Sequence, residues 1–386
     1  MTVHLSDAQH GAMDPAPARY AIRVNGHLGA TMLSAFPAMA ARQDGTQTVL
    51  TGLLDQAALH GVLADIEALG LDLVEVRRPG RPTGSGVSMS DVADSVELSG
   101  RYGIGRWRVH RAGFGAMQLA GDRVFGPPRD RAEAVAVLRQ AIADGVDHID
   151  TAQYYGPGVV NQLVREALHP YPSGLAIVSK VAACRDDTGA VLPYDEPDQL
   201  RQGIEDNLRT LGVDRLAAVN LRLMDGSIPG RRFEAQLNAM IQARDEGLID
   251  GIGLSNITRD HLLMALATTE IVCVQNLFNL ADRRSLALLR ECRRREIAFV
   301  PYCPLGYPRA ARDRILQHDR VIAIAARHRA SPAQVALAWL LGVAPNVLLI
   351  PGTRTRTHLA ENLGAGGVTL DSEATRELDE HFFAFG

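Results

Sequence analysis

Two acid/base groups and a phenol sit at the ends of two apolar runs. Asp150 and Tyr155 stand five residues apart in Asp150-Thr-Ala-Gln-Tyr-Tyr-Gly156, directly after one run. Lys180 closes the other, Leu175-Ala-Ile-Val-Ser-Lys180. An acid, a phenol and a lysine at the ends of neighbouring parallel strands make a proton donor. The lysine cation is expected to lower the tyrosine pKa, and the carboxylate to hold the lysine charged and in place. Such a group can hand a proton to a carbonyl oxygen while a hydride arrives at its carbon.

These residues need a scaffold that brings strand ends together. From Ala112 onward the sequence alternates strand and helix, with strands expected to end near Met117, Asp150, Lys180, Arg222, Leu254, Gln275, Pro301 and Ile350. Amphipathic segments such as Arg131-Asp144, Gln199-Leu211, Phe233-Glu246, Arg284-Arg295 and Pro332-Leu341 lie between them. Eight such units over roughly 270 residues predict an α/β fold of the (β/α)8 TIM-barrel type. No Gly-x-Gly-x-x-Gly follows a strand, since Gly113-Phe-Gly-Ala-Met-Gln118 lacks the third glycine, which argues against a Rossmann sheet. In a barrel the chemistry sits at the C-terminal strand ends. There stand Asp150, Tyr155, Lys180, Arg222, Ser255, Asn256 and Gln275. After strand eight, Pro351-Gly352-Thr353 leads into Arg354, Arg356 and His358 at a helix start, a ready phosphate site. Taken singly, each has a plainer reading. Asp150 is then a turn acid, Tyr155 a packed aromatic and Lys180 a solvated strand end. Ser255 and Asn256 become a helix cap, and Arg354 and Arg356 a solvated loop. The plain readings do not place all of them on one rim.

The rest of the chain sets the context. It has 386 residues, 46% hydrophobic, with 40 Lys and Arg against 44 Asp and Glu and a net charge of −4. That balance carries no nucleic-acid or polybasic membrane footprint. No run approaches a membrane span, no signal peptide opens the sequence, and no Cys or His cluster suggests a metal. Cys184, Cys273, Cys292 and Cys303 read as reduced thiols of a cytoplasmic protein. Residues 1–18 read as a disordered tail. Residues 19–78 carry the order β-α-β-β-α-β, with Asp44-Gly45 as a hairpin turn and Asp55 capping a helix, which predicts a small ferredoxin-like domain. Residues 79–95 read as a flexible linker and residues 96–386 as the barrel, opening on a β-hairpin before Arg111. The small domain lacks cysteine, so it holds no iron–sulfur cluster. Its expected role is self-association, contact with a protein partner, or a lid.

Residues 100–386 resemble the aldo-keto reductase family. The resemblance rests on Gly113-Phe-Gly-Ala-Met117, Gly145-Val-Asp-His-Ile-Asp-Thr-Ala-Gln-Tyr-Tyr-Gly156 and Ser179-Lys180. It continues through Gly247-Leu-Ile-Asp-Gly-Ile-Gly-Leu-Ser-Asn256, Val274-Gln-Asn-Leu-Phe-Asn-Leu280, and Ile350-Pro-Gly-Thr353 with His358-Leu-Ala-Glu-Asn362. It implies a carbonyl reductase that uses NADPH without a Rossmann fold and acts on a small-molecule carbonyl substrate. Tyr155 is then the general acid, tuned and oriented by Lys180 and Asp150. Ser255, Asn256 and Gln275 hold the nicotinamide carboxamide, and Phe278 stacks on its ring. Pro304, Leu305, Pro351, Gly352 and Thr353 join the cofactor-binding set. Arg354, Arg356 and His358 take the 2′-phosphate, while Glu361 and Asn362 contact adenine.

The family's fourth catalytic residue is a histidine, but in Val219-Asn-Leu-Arg-Leu-Met-Asp225 its position holds Arg222. Arginine cannot act as a base and stays charged. As a fixed cation it can stabilise a developing alkoxide, or pair with a substrate carboxylate. Turned towards Asp225, it would leave a weakened enzyme. Two rival functions remain: an NADPH-binding regulatory redox sensor on the same scaffold, and a barrel isomerase or lyase acting on a phosphorylated substrate. The second leaves Ser255, Asn256, Gln275 and Phe278 unexplained.

Overall fold

The structure is a computed structural model describing residues 18–37, 39–44, 46–77, 89–224 and 229–383. Contacts divide the chain into two units, Met1–Arg81 and Pro82–Gly386. The expected tail up to residue 17 and the turn residue Gly45 lie outside the described residues, as does most of the expected linker; Ala18 opens a strand instead.

The first unit runs β1 (Ala18–Asn25), α1 (Ala30–Leu33), β2 (Met39–Asp44), β3 (Gln47–Leu54), α2 (Gln56–Ala68) and β4 (Leu73–Arg77). Its strands pair antiparallel in the order β2-β3-β1-β4. Alternation along β1 turns Ile22 and Val24 into a core shared with Leu28, Phe36, Leu50, Leu54 and Ile66. Asp55 caps α2 by accepting from the Ala58 amide at 2.8 Å.

The second unit opens with α3 (Met89–Leu98), where the sequence suggested linker to residue 95. Val92 and Val96, four apart, share one face and are buried in the core of this unit. The polar residues between them mask that spacing. A hairpin follows, β5 (Arg101–Ile104) with β6 (Trp107–His110). Then come β7 (Phe114–Gly115), α4 (Arg131–Ala143), β8 (His148–Asp150), α5 (Val159–Leu168) and β9 (Ala176–Arg185). β10 (Val191–Tyr194) and α6 (Pro197–Leu211) precede β11 (Ala218–Arg222), α7 (Arg231–Asp245), β12 (Ile252–Ser255) and α8 (Arg259–Leu266). β13 (Cys273–Gln275), α9 (Leu286–Arg294) and β14 (Ala298–Phe299) lead to α10 (Arg309–Leu316), α11 (Asp319–His328) and α12 (Pro332–Val343). The chain ends in α13 (Arg356–Leu363) and α14 (Ser372–Phe383).

Parallel pairing runs β14-β13-β12-β11-β9-β8-β7. Residues 347–350 join both edges: Val347 bridges Phe299 and Leu349 bridges Ala112, both in parallel. The Leu348 amide donates to Phe299 O at 2.9 Å and the Gly113 amide to Leu349 O at 2.9 Å, closing a barrel-like ring. Strand three runs past Lys180 to Arg185, because its extension pairs antiparallel with β10. Ile104 and Val109 of the hairpin pack with Ala176, Ala218, Cys273, Ala298 and Leu348 inside the ring. Trp107 donates to Asp250 Oδ2 at 3.0 Å. Among the described residues no helix is long and apolar enough to cross a membrane.

Candidate active site

The C-terminal ends of β8 and β13 and the middle of β9 bring three polar side chains together in the barrel interior. Asp150, Lys180 and Gln275 are all at least 95% buried. The Lys180 ammonium pairs with Asp150 Oδ1 and donates to the Thr151 carbonyl at 3.0 Å. Gln275 Nε2 donates to Asp150 Oδ2 at 2.8 Å, so both carboxylate oxygens are engaged. A buried pair of this kind is stable only when both charges are satisfied.

Tyr155 lies on the loop after β8, with its amide bonded to the Ala152 carbonyl at 3.1 Å. Lys180 Nζ stands 5.1 Å from the centre of its ring. The expectation of a lowered Tyr155 pKa is corrected. Burial pushes the phenol well above its usual value, and the charges of Asp150 and Cys303 push the same way, against Arg222. Lys180 meets the ring face and spends its hydrogen bonds on Asp150 and Thr151.

Arg222 ends β11 and is partly buried. Its guanidinium lies 5.8 Å from the Tyr154 ring centre, and it bonds to the Met224 sulfur. Among the described residues no carboxylate pairs with it. Asp225, named above as its alternative partner, lies outside them.

Asn256 sits in the left-handed region, φ 60, which turns the chain after β12. Its amide donates to Gln275 O at 3.2 Å and its Nδ2 to Leu223 O at 3.2 Å. Its Oδ1 accepts from the Tyr302 hydroxyl at 2.6 Å. Ser255 beside it is buried. Phe278 is not in this group. It is fully buried, stacked on Trp339 of α12 at 5.8 Å and edge-on to Phe299 at 6.0 Å. The chain leaving β13 has turned its side chain into the helix layer, so Phe278 is a core residue. Tyr302, after β14, is the aromatic that reaches the mouth. Pro304 is buried and Leu305 packs on the core.

Strand eight's loop rests on β7: the Gly115 amide meets Pro351 O at 3.4 Å, and a side chain on Gly352 would meet Gly115 O at 2.6 Å. Thr353 is buried and its hydroxyl accepts from the Thr355 amide at 3.2 Å. Thr355 caps α13 by accepting from the His358 amide. Arg354 and Arg356 are exposed but engaged. Arg354 donates to Gln118 O at 3.0 Å and lies 3.7 Å from Asp122, while Arg356 pairs with Glu133 at 3.2 Å. Exposed pairs of this kind hold weakly and can exchange partners. His358 is exposed, Glu361 partly buried and Asn362 buried on α13.

Sequence reasoning missed the support behind Tyr155. Thr151 donates to Asn161 Oδ1 at 2.7 Å, and Asn161 donates to Gln153 Oε1 and Asn207 Oδ1, each at 2.9 Å. Arg185 donates to the Tyr154 carbonyl at 3.0 Å and also holds the Gly189 carbonyl, tying the β9–β10 hairpin to the tyrosine loop. Asn207 had a readable signal: it lies on the face of α6 that also buries Leu200, Ile204 and Leu211. Tyr302 had one too, three residues beyond the end of β14.

The comparisons with known proteins follow this geometry. The aldo/keto reductase family model matches residues 111–382. A second model, a domain of unknown function (DUF8691), matches residues 19–77. Pyridoxine 4-dehydrogenase of Escherichia coli (strain K12) is 46% identical over 284 residues, covering 73% of this chain and 98% of that protein. The crystal structure of a thermostable aldo-keto reductase, Tm1743, with the inhibitor epalrestat is 31% identical, with a TM-score of 0.61, covering 72% of this chain and 98% of that one. An aldo/keto reductase from Klebsiella pneumoniae in complex with NADP and acetate is 28% identical with a TM-score of 0.61, covering 71% and 92%. The chain belongs to the aldo-keto reductase family, and it is an oxidoreductase.

Proposed function

We propose that this protein uses NADPH to reduce an aldehyde or ketone to an alcohol, with Tyr155 as the proton donor. The observation that carries the reading is the buried Asp150–Lys180 pair beneath the Tyr155 ring, at the mouth of the barrel. Family membership and the NADP complex of the Klebsiella relative support the cofactor. So does Gln275 Oε1, a buried acceptor without a partner among the described residues, which suits the N–H of a carboxamide. Asn256 and Gln275 would orient that carboxamide, and Tyr302 would present its ring to the nicotinamide. The loop from Pro351 to Thr353 and the start of α13 would take the phosphates, with Arg354 and Arg356 released from Asp122 and Glu133.

NADPH, when bound, supplies the hydride for the carbonyl carbon. The chain does the rest. Burial keeps the Tyr155 hydroxyl protonated at neutral pH, ready to donate. The charges of Lys180 and Arg222 offset the phenolate left behind and the negative charge growing on the substrate oxygen. Asp150 fixes Lys180, and Gln275 fixes Asp150. The Escherichia coli relative's name makes pyridoxal a first substrate to try.

We read the first unit as ferredoxin-like, which its strand order and the split pairing of β1 with β3 and β4 support. Its role would be self-association or partner binding, since Leu73, Val74 and Val76 of edge strand β4 are exposed. The four free thiols support a reducing compartment.

The test is steady-state NADPH oxidation over aldehydes, ketones and 2-oxo acids, with NADPH affinity measured by fluorescence titration. Tyr155→Phe should cut turnover about 10³-fold and leave NADPH affinity intact. Equal turnover in both proteins would remove Tyr155 as the acid. NADPH binding without any turnover would favour the redox-sensor reading.

A further inference from the structure

Among the described residues, four arginines near the barrel mouth have partners of their own. Arg354 faces Asp122, Arg356 pairs with Glu133, and Arg284 pairs with Asp282. Arg185 is held by two backbone carbonyls. Among the described residues Arg222 has only the Met224 sulfur, a weak acceptor, for a group with five N–H donors. It is partly buried, where water satisfies it incompletely. Its guanidinium lies 5.8 Å from the Tyr154 ring centre, and its charge is also felt at the Tyr155 and Tyr302 phenols. None of these phenols supplies a negative charge while protonated.

We propose that Arg222 is a receptor for an oxyanion carried by the substrate next to its reacting carbonyl. This deepens, and rests on, the reading of the site as a carbonyl reductase. Two substrate chemistries meet the requirement: the carboxylate of a 2-oxo acid and the phenolate of an ortho-hydroxy aromatic aldehyde. The carboxylate places a negative oxygen two bonds from the carbonyl carbon, and the phenolate places one three bonds away. A planar guanidinium binds such an oxygen, or a pair of them, through parallel N–H donors. The redox step keeps the oxyanion unchanged. The carbonyl carbon gains the hydride that NADPH supplies, the carbonyl oxygen gains the Tyr155 proton, and Tyr155 is reprotonated from solvent. NADPH is oxidised to NADP⁺ and the carbonyl is reduced to the alcohol.

The experiment compares matched substrates that differ only in the anion. Phenylglyoxylate is set against its methyl ester, and salicylaldehyde against 2-methoxybenzaldehyde, at a pH where the phenol is ionised. Wild-type kcat/KM should favour the anionic member of at least one pair by about tenfold or more. Arg222→Met should lower both members, and the anionic one by a further ~100-fold; Arg222→Lys should restore part of that difference. The pair that responds identifies the anion. A ratio unchanged by Arg222→Met in both pairs overturns the proposal, while turnover itself stands. If no carbonyl is reduced, the reductase reading fails separately. Oxyanion recognition is then read by calorimetry, as phenylglyoxylate binding to the NADPH-loaded protein. Binding equal in wild type and Arg222→Met would overturn it, and binding lost in the variant would uphold it.

Discussion

Asp147 and Asp150 stand three residues apart at opposite ends of β8, and each meets a base. At the mouth, Asp150 pairs with Lys180 and accepts from Gln275, leaving Gln275 Oε1 unpartnered. At the floor, Asp147 accepts from the His110 amide at 2.8 Å and lies 3.0 Å from its imidazole. Glu97 of α3 takes the other imidazole nitrogen at 2.8 Å, and Arg101 approaches Asp147 at 3.3 Å. At the floor Asp147, His110, Glu97 and Arg101 satisfy one another beside an apolar plug, an arrangement that serves stability. Among the described residues the mouth keeps a buried acceptor without a partner and a guanidinium without a carboxylate, as the proposed chemistry requires. One strand thus shows how polar groups at its two ends divide those tasks.

Removing a partner at the mouth should have the largest effect. Lys180→Met strands a buried carboxylate and should cost about 3–5 kcal/mol in urea unfolding, along with most of the activity. Native stability in that variant would mean that Asp150 is not left charged and dry.

The floor should respond to pH. Burial alone would lower the His110 pKa, but its hydrogen bonds to Asp147 and Glu97 outweigh burial and raise it from 6.5 to about 9. A raised pKa stabilises the fold fully below the unfolded value of 6.5 and loses that contribution as pH climbs through about 9. The loss should be about 3 kcal/mol across that window. His110→Gln should remove this slope in denaturation midpoints taken from pH 6 to 10; an identical slope in both proteins would place the titration elsewhere.

The smallest effect separates the two aromatics. Phe278→Leu should cost about 1 kcal/mol of stability and leave NADPH affinity alone. Tyr302→Leu should do the reverse, weakening NADPH about tenfold with little change in stability. The opposite pattern would return Phe278 to the site.

The sequence made the mouth legible where a motif ends a strand: Asp150, Lys180, Arg222, Ser255 and Gln275 all fall within or at the end of the strands expected to carry them. It also located the β-α-β-β-α-β order of the first unit and the hairpin before Arg111. It failed where direction depends on packing. Phe278 and Tyr302 each follow a strand by three residues, and it is Phe278 that packs on Trp339 and Phe299 in the helix layer. The sign of the Tyr155 shift was also out of reach, because burial opposes the charges that residue types alone suggest. The Asn161–Asn207 network joins side chains 46 positions apart, a pairing no local pattern reveals.

The helix α3 changes where the molecule can be cut. Its Ser95 carbonyl lies where a side chain on Gly366 would have to go, 2.0 Å away, so the two backbones are in direct apposition. A gene trimmed to start at the β5–β6 hairpin would unroof that glycine turn and take away Glu97, one of the two acids on His110. A cut that keeps the second unit whole therefore falls ahead of Met89, and a tag fused at that end belongs upstream of the helix.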